Sequence, residues 1–209
     1  MTNSSYEDDW IGVALSEARF GPYLVECGDD MTAAWRLYIW NIQVSGAFYP
    51  LLQFVEITLR NALHRELKSR FGRTDWWSAA PLDAHGQRLV KEALDKVPAS
   101  RSPQNVDDVV AKLSLGFWVS LVSRSYDRTL WVPALHRAFP RYHGRRDHLH
   151  AELNEVLRLR NRVMHHEPIH QRDLEVDRAR IYHLIDHMSS DVAAEVRRVD
   201  VVPQVLRLR

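Results

Sequence analysis

The residues best suited to chemistry lie in the segment Leu-Arg-Leu-Arg-Asn-Arg-Val-Met-His-His-Glu-Pro, residues 157–168. Arg160 and His165 are five residues apart, about 140° around a helix, whereas Asn161 and His165 are four apart and share a face. We therefore expect these three side chains to fan across one turn near the end of a helix. The helix dipole favours positive charge at that end.

Residues of these types suit the cleavage of RNA without a metal ion. Histidine ordinarily titrates near pH 6.5, so it can take a proton from a 2′-hydroxyl or give one to the leaving oxygen. Arginine keeps its charge and can hold two phosphate oxygens while negative charge builds up on the phosphorane. Asparagine can orient either group. An exposed basic helix end that carries an incidental histidine has the same spacing, because Arg-x4-His alone is a short pattern.

The surrounding residues are basic and rich in histidine, although the whole chain is nearly neutral. The 209 residues include 28 Lys and Arg against 27 Asp and Glu, a formal net charge of +1 with the 11 histidines neutral. Within residues 141–172, seven arginines stand against four acids, a local charge of +3, beside six histidines. The near-neutral total argues against a protein held on nucleic acid by bulk charge. The local window instead predicts weak, salt-sensitive engagement of RNA at one cleft.

Residues 157–169, LRLRNRVMHHEPI, resemble the signature of the Abi-like proteins of the abortive-infection type (AbiD/AbiF). These form a branch of the HEPN superfamily of all-helical domains, which is marked by an Arg, four to six further residues and a His. Other blocks resemble the family in the family's order, so that the resemblance covers roughly residues 31–170. They are RLYIWN (36–41), FVEITLRNALHREL (54–67), the Trp76–Trp77 pair, KLSLGFWVSLVSRSYDRTLW (112–131) and the Phe139–Pro140 pair.

The resemblance implies a metal-independent endoribonuclease that acts in phage defence by abortive infection or as a toxin. His165 would be the general base or acid, Arg160 the phosphate clamp and Asn161 the positioning group. Products would carry 2′,3′-cyclic phosphate and 5′-hydroxyl ends. The resemblance also implies a homodimer whose motifs face each other, and an antitoxin or regulatory partner. No cofactor and no metal are expected.

Two other functions remain compatible with the same residues. Some members of the superfamily do not cleave RNA, so the chain can instead be a non-catalytic HEPN scaffold or sensor that binds RNA, a nucleotide or a partner protein. The balanced net charge suits this alternative. The third interpretation is a helical dimerisation module whose basic helix is simply exposed.

An earlier segment, residues 59–64, repeats the Leu-Arg-Asn start of the motif with one residue fewer before its histidine. Arg60 and His64 would share a helix face, with Glu56 one turn before Arg60. We expect this helix to line the cleft beside the motif, although pairing of Glu56 and Arg60 on a helix surface is the alternative. The supporting residues predicted from both segments are Glu56, Arg60, Asn61, Arg158, Arg162 and His166.

The other histidines predict no metal site. His183 and His187 are four residues apart, but Leu184 stands where a zinc protease needs Glu, and we expect an exposed helix there. No carboxylate or Cys completes an obvious site with the histidines of residues 143–150.

Helical periodicity and sparse glycine (8) and proline (9) predict an all-α fold. The chain is 45% hydrophobic and 26% charged, as globular proteins are, and its length fits one domain. We predict a single domain over residues 1–209, and the resemblance implies a HEPN-type helical bundle with additional helices. Residues 1–30 would be an N-terminal extension and residues 199–209 a C-terminal tail.

Punctuating residues predict the bounds of the helices. A helix from Met31 to Ser45 should place Ala34, Leu37, Tyr38, Asn41, Ile42 and Ser45 along one stripe. Gly46 and Pro50 then predict a break before a second helix, from Leu51 to about Arg70. Further helices are predicted at 84–96, 105–112, 113–122, 128–138, 147–165 and 173–198, with a linker-like loop at 97–105.

The location of the protein follows from features that the sequence lacks. Cys27 is the single cysteine and cannot form an intramolecular disulfide. No apolar run approaches the roughly 20 residues of a membrane helix, and residues 1–10 lack the basic start of a secretion signal. We expect a soluble cytoplasmic protein without membrane partners.

Overall fold

The structure, a computed structural model, describes residues 9–97 and 106–209. Within these ranges helices are joined by turns and no β-strand occurs, which confirms the all-α class. Most of the linker-like loop predicted at 97–105 lies outside the described residues. The helices are α1 Asp9–Leu15, α2 Glu17–Glu26, α3 Met31–Phe71, α4 Ala84–Asp95, α5 Val106–Lys112, α6 Leu115–Ser120, α7 Arg146–Met164, α8 Leu174–Met188, α9 Ser190–Val199 and α10 Val202–Leu206.

Helix α3, 41 residues long, is the element against which most of the others pack. The Asp30 side chain caps its start by accepting a hydrogen bond from the Ala33 N–H at 2.9 Å. Gly72 ends it in the left-handed conformation, with φ 66°, and donates its N–H to the Lys68 carbonyl. Its inward residues confirm the predicted spacing. Leu52, Val55, Leu59, Leu63 and Leu67 are all buried.

The predicted break at Gly46 and Pro50 is wrong, because α3 continues through both residues. An internal proline costs a helix about 3 kcal/mol, since it lacks an N–H and crowds the carbonyl four residues earlier. Phe48, Leu51 and Leu52 are fully buried around it. Each such side chain contributes about 1.5–3 kcal/mol when buried, so packing outweighs the local cost of the proline.

Gly46 gives a direct stability prediction. A Cβ built on this residue meets no heavy atom within 4 Å, so alanine fits without strain. We expect Gly46→Ala to raise the free energy of unfolding by about 0.5–1 kcal/mol, because glycine is the weaker helix former. Chemical denaturation of both proteins measures this difference. A loss of stability on substitution would show that the backbone at Gly46 is not regular helix.

Buried aromatic rings join α3 to α6. Trp76, Phe117 and Trp118 are fully buried, with the Trp76 and Phe117 ring centroids 6.3 Å apart. The Trp76 indole N–H donates to Nδ1 of His64 on α3 at 3.0 Å. This bond requires an unprotonated Nδ1, and burial lowers the pKa of His64.

We expect acid to destabilise the fold. Burial lowers the pKa values of His64, His150, His170 and His187 below the ordinary 6.5. The unfolded chain therefore binds more protons than the folded chain as the pH falls below about 6.5, and the free energy of unfolding decreases until the pH has passed the folded pKa values. Thermal melts at pH 7.5 and 5.5 test this. An equal or higher melting temperature at pH 5.5 would contradict it.

Three further segments differ from the predictions. The helix expected at 128–138 consists of a π-helical turn, Asp127–Trp131, and a 3-10 turn, Leu135–Ala138, because Pro133 between them has no N–H. The helix expected at 173–198 divides at Ser189, which is extended and caps α9 through its side chain. The C-terminal tail is partly helical, since α10 buries Val202. The Trp40 indole on α3 donates to the Val205 carbonyl at 3.0 Å.

The N-terminal helices α1 and α2 also pack on α3. Ile11, Phe20 and Tyr23 from α1 and α2 form a small cluster with Ala34, separate from the main core. No helix within the described ranges combines the length and the apolar character needed to cross a membrane.

Candidate functional site

Helix α7 carries the motif, and its buried face holds it against the core. Leu149, Leu153, Val156, Leu159 and Val163 are buried at spacings of three and four residues, which makes one continuous stripe against the core. The predicted helix over 147–165 is confirmed, with observed bounds Arg146–Met164.

The end of α7 is a tightly bonded turn. The His166 N–H donates to the Val163 carbonyl at 3.2 Å and the Glu167 N–H to the Arg162 carbonyl at 2.8 Å. This pair of bonds is the Schellman arrangement, which places one residue in the left-handed region. That residue is His166, with φ 57°, where glycine is usual. The sequence therefore keeps a residue with a strained backbone conformation at this point.

The strain at His166 leads to a prediction. A left-handed non-glycine residue costs about 1–2 kcal/mol, so we expect His166→Gly to stabilise the fold by about 1 kcal/mol. Denaturant titration of the two proteins provides the measurement, with Gly46→Ala as a second stabilised variant in which the motif is unchanged. Destabilisation by glycine here would show that the imidazole makes a contact stronger than the strain.

Arg19 closes the same turn from α2. Its guanidinium donates to the His165 carbonyl at 3.1 Å and also to the His166 carbonyl. A cation beside the last carbonyls of a helix is favourable because of the helix dipole. Sequence reasoning missed Arg19, since nothing in its local pattern links it to a turn 146 residues away.

Arg160 lies in a cleft between α3 and α7. Its Nε donates to Oε2 of Glu56 at 3.2 Å, and both side chains are about one quarter exposed. Arg60 lines the same cleft, whose volume is about 270 Å³, together with Tyr49, Gln53 and Met164. We call it the arginine cleft. Two arginines and one glutamate leave it with one net positive charge, enough to attract a phosphate.

The structure brings together only part of the predicted site. Glu56, Arg60 and Arg160 meet in the arginine cleft, and Asn61 accepts a hydrogen bond from Arg60 at 3.2 Å. Asn161 and His165 are exposed and do not belong to the lining of the cleft.

The remaining predicted arginines make local contacts. Arg158 donates to Glu155 at 2.6 Å, one turn away on α7. Arg162 donates to the Pro168 carbonyl at 2.9 Å, within the turn that ends the helix. Both side chains are exposed, so neither belongs to the arginine cleft.

The basic window of residues 141–172 is more neutral in the fold than in the sequence. Six of its seven arginines have carboxylate partners: Arg141–Asp186, Arg145–Asp147, Arg146–Asp127, Arg158–Glu155, Arg160–Glu56 and Arg172–Asp177. Four of these acids, Glu56, Asp127, Asp177 and Asp186, lie outside the window. Exposed ion pairs are worth at most about 1 kcal/mol, so a phosphate can compete for them.

A second pocket adjoins the arginine cleft. Its volume is about 460 Å³, and its lining includes Tyr23, Tyr38, Asn41, Tyr49, Met164 and His166. We call it the tyrosine pocket, and it shares Tyr49 and Met164 with the cleft. Ile42 and Ser45, which the sequence placed on the same stripe as Asn41, also line it, and Ile42 is 52% exposed. This side of α3 therefore faces a pocket.

Asn41 fixes the segment after the motif to α3. Its buried Oδ1 accepts hydrogen bonds from the Ile169 N–H at 2.8 Å and the His170 N–H at 3.2 Å. The His170 imidazole is buried against the Tyr23 ring, with centroids 4.9 Å apart, and neither ring nitrogen has a hydrogen-bond partner among the described residues. These contacts hold the turn that carries His165 and His166 against the tyrosine pocket.

Metal-ligating side chains are dispersed in the part of the chain that the structure describes. No group of three or more His, Cys, Asp or Glu there could hold a metal ion. Comparison with known proteins adds no assignment, since no family model, curated protein or solved structure matches this chain. The candidate site therefore rests on its own geometry and on the motif.

Proposed function

We propose that the chain is a metal-independent endoribonuclease of the HEPN type. The observation that carries the proposal is the placement of Arg160 near the C-terminal end of α7 and of His165 as its capping residue. Arg160 lies in a cleft of net positive charge, and His165 lies exposed at the helix end. RNA lying along this end of α7 can meet both side chains.

The reaction follows from these groups. His165 removes the proton of a 2′-hydroxyl, and the 2′-oxygen attacks the adjacent phosphorus while the bond to the 5′-oxygen breaks. Arg160 holds the phosphate oxygens as their negative charge increases, and Asn161 orients the phosphate or the imidazole. The leaving 5′-oxygen takes a proton, so the products carry 2′,3′-cyclic phosphate and 5′-hydroxyl ends.

The chemistry needs a base and an acid, which suits a homodimer. One chain offers one histidine at the Arg-x4-His position of the motif, His165, and it lies outside the lining of the cleft that holds Arg160. Two motifs that face each other would supply both proton-transfer groups. Light scattering at the concentration of the cleavage assay tests this arrangement. A dimer is expected, and a monomer that cleaves RNA would contradict the paired site.

Glu56 has a positioning role in this proposal. It holds the Arg160 guanidinium toward the cleft and offsets part of its charge until a phosphate competes for it. Arg60 shares the cleft, and Asn61 accepts a hydrogen bond from Arg60. At the helix end, Arg158 and Arg162 add positive charge. His166 forms part of the turn beside them.

The proposed biological role is phage defence by abortive infection or action as a toxin, controlled by an antitoxin or another regulatory partner. It rests on the resemblance to Abi-like proteins. Induced expression in a bacterial host tests it, because wild type should arrest growth and His165→Ala should not. Equal growth with both proteins at equal expression would contradict a toxic activity.

Purified protein incubated with RNA in EDTA tests the proposed activity. The Arg160→Ala/His165→Ala variant is the inactive protein, and His148→Ala is the matched control because His148 is also exposed on α7. Wild type and His148→Ala should shorten the RNA while the double variant leaves it intact. Indistinguishable RNA in all three reactions, across many RNAs, would contradict the proposal.

A specific observation favours a second candidate, a non-catalytic HEPN scaffold or sensor that binds RNA, a nucleotide or a partner protein. Arg160 and most of its neighbouring arginines already have carboxylate partners. A sensor needs binding without proton transfer. RNA binding that survives His165→Ala, with no cleavage by either protein, would select this candidate.

A further inference from the structure

The tyrosine pocket has the size and position of a ligand site. Its volume of about 460 Å³ lies within the range of about 300–1,000 Å³ that small-molecule sites occupy. Tyr49 and Met164 form the boundary that it shares with the arginine cleft. A molecule that extends past this boundary places one part among tyrosines and the other beside Arg160 and Arg60.

The lining of the pocket matches a flat aromatic ring with polar edges. Tyr38 and Tyr49 line it, and Tyr49 is 52% exposed although it lies in the middle of a helix. Ser45, Asn41 and His166 place polar groups among them. Unpaired bases are recognised by stacking on aromatic rings and by hydrogen bonds to their edges.

Two residues of α3, Gly46 and Pro50, shape this pocket. Gly46 belongs to the lining, and a Cβ there would meet nothing within 4 Å, so the missing side chain is space within the pocket. Pro50 has no N–H to donate to the Gly46 carbonyl, which therefore loses its regular helical donor. A carbonyl at this point suits the amino group of a base.

The neighbouring charges match a phosphate. Arg60 and Arg160 against Glu56 give the arginine cleft its single net positive charge. A nucleotide with its base among the tyrosines would carry its phosphate toward these guanidinium groups. Neither a purely apolar ligand nor a free phosphate would use both halves.

We propose that the tyrosine pocket holds an unpaired nucleobase whose phosphate lies in the arginine cleft. For RNA, this inference rests on the proposed function and makes single-stranded RNA the substrate class. The pocket then selects the nucleotide next to the scissile bond. The recognised chemistry, a base with its phosphate, also occurs in a free nucleotide.

Calorimetric titration of the His165→Ala protein tests base binding without cleavage. The probes are adenosine 5′-monophosphate, ribose 5-phosphate, which has no base, and an unstructured RNA oligonucleotide. We expect adenosine 5′-monophosphate to bind at least tenfold more tightly than ribose 5-phosphate. Equal affinity for the two compounds would overturn the proposal.

Two further substitutions locate the binding. Gly46→Leu fills the pocket, and Tyr49→Ala removes an exposed ring, so neither disturbs the core. Each should weaken nucleotide binding about tenfold, Gly46→Leu because its side chain occupies the space of the base and Tyr49→Ala because one stacking partner is lost. Gly12→Leu is the matched control, because Gly12 is also a helical glycine with nothing within 4 Å of its Cβ position. Unchanged nucleotide binding in both pocket variants would overturn the proposal.

Titration with the RNA oligonucleotide shows whether the bound base belongs to RNA or to a free nucleotide. Parallel weakening of the oligonucleotide and the mononucleotide supports a base of RNA. Weakening of the mononucleotide alone would overturn the RNA assignment and leave a free-nucleotide site. If Gly46→Leu separates a dimer without changing nucleotide binding, the pocket belongs to a second copy and the proposal is wrong.

The pocket assignment and the nuclease activity can fail separately in these experiments. Base binding with no RNA cleavage by wild type overturns the nuclease and leaves the pocket assignment intact. RNA cleavage by wild type together with unchanged binding in Gly46→Leu and Tyr49→Ala overturns the pocket assignment alone.

Discussion

Replacing His165 with alanine should lower the rate of RNA cleavage by about 10²–10⁴-fold, the usual contribution of a general acid or base. The side chain is exposed at the end of α7, so the variant should keep the stability of wild type. Single-turnover cleavage in EDTA measures the effect. Equal rates for wild type and His165→Ala would contradict the assigned role.

Arg160 provides a second measure of the same site. Arg160→Ala should lower the cleavage rate by about 10²–10³-fold, because a positioned cation is lost where charge develops. Arg160→Lys keeps the charge but loses the planar pair of donors, so it should restore only part of the rate. Arg158→Ala is the matched control, since Arg158 lies on the same helix and pairs locally with Glu155. A control that lost as much rate would point to a general charge effect.

Trp76→Ala should lower the free energy of unfolding by about 3–5 kcal/mol, the range for removal of a buried aromatic side chain. Trp76 is fully buried beside Phe117 and Trp118, and its N–H donates to His64. Removal leaves both a cavity and an unpaired His64 nitrogen. Such a loss is a large share of the stability of a typical domain.

Urea or thermal denaturation measures the effect of Trp76→Ala. Trp10→Ala provides the control, because Trp10 is 52% exposed and contacts Trp35 at the edge of the small N-terminal cluster. It should cost less than half as much. A loss of under 1 kcal/mol for Trp76→Ala would show that the rings around it repack.

The helices were predictable where burial on one face decides the structure. Leu52, Leu59 and Leu67 on α3, and Leu149 and Leu153 on α7, lie inward because regular apolar spacing leaves one solution. The continuation of α3 through Pro50 was not predictable, because local propensity indicates the cost of a proline and says nothing of the packing that outweighs it. Ser189 is the opposite case. Its capping side chain divides an apolar pattern that continues on both sides.

The candidate site was predictable in its types of residue and less so in its arrangement. The echo of the motif in residues 59–64 pointed to Glu56 and Arg60, and both meet Arg160 in the cleft. Arg19 and Asn41 could not be found, because their bonds cross 146 and 128 residues of chain. For the same reason, a count of neighbouring charges in the sequence cannot identify the acids that neutralise the basic window, such as Asp127.

Mapping the ends of RNA cleaved in the presence of EDTA tests the central claim most directly, that His165 and Arg160 act together on one phosphate. A 2′-hydroxyl attack leaves 2′,3′-cyclic phosphate and 5′-hydroxyl ends, and we expect these ends from wild type and none from the Arg160→Ala/His165→Ala protein. Products with 3′-hydroxyl and 5′-phosphate ends, or RNA left intact by wild type, would contradict the account.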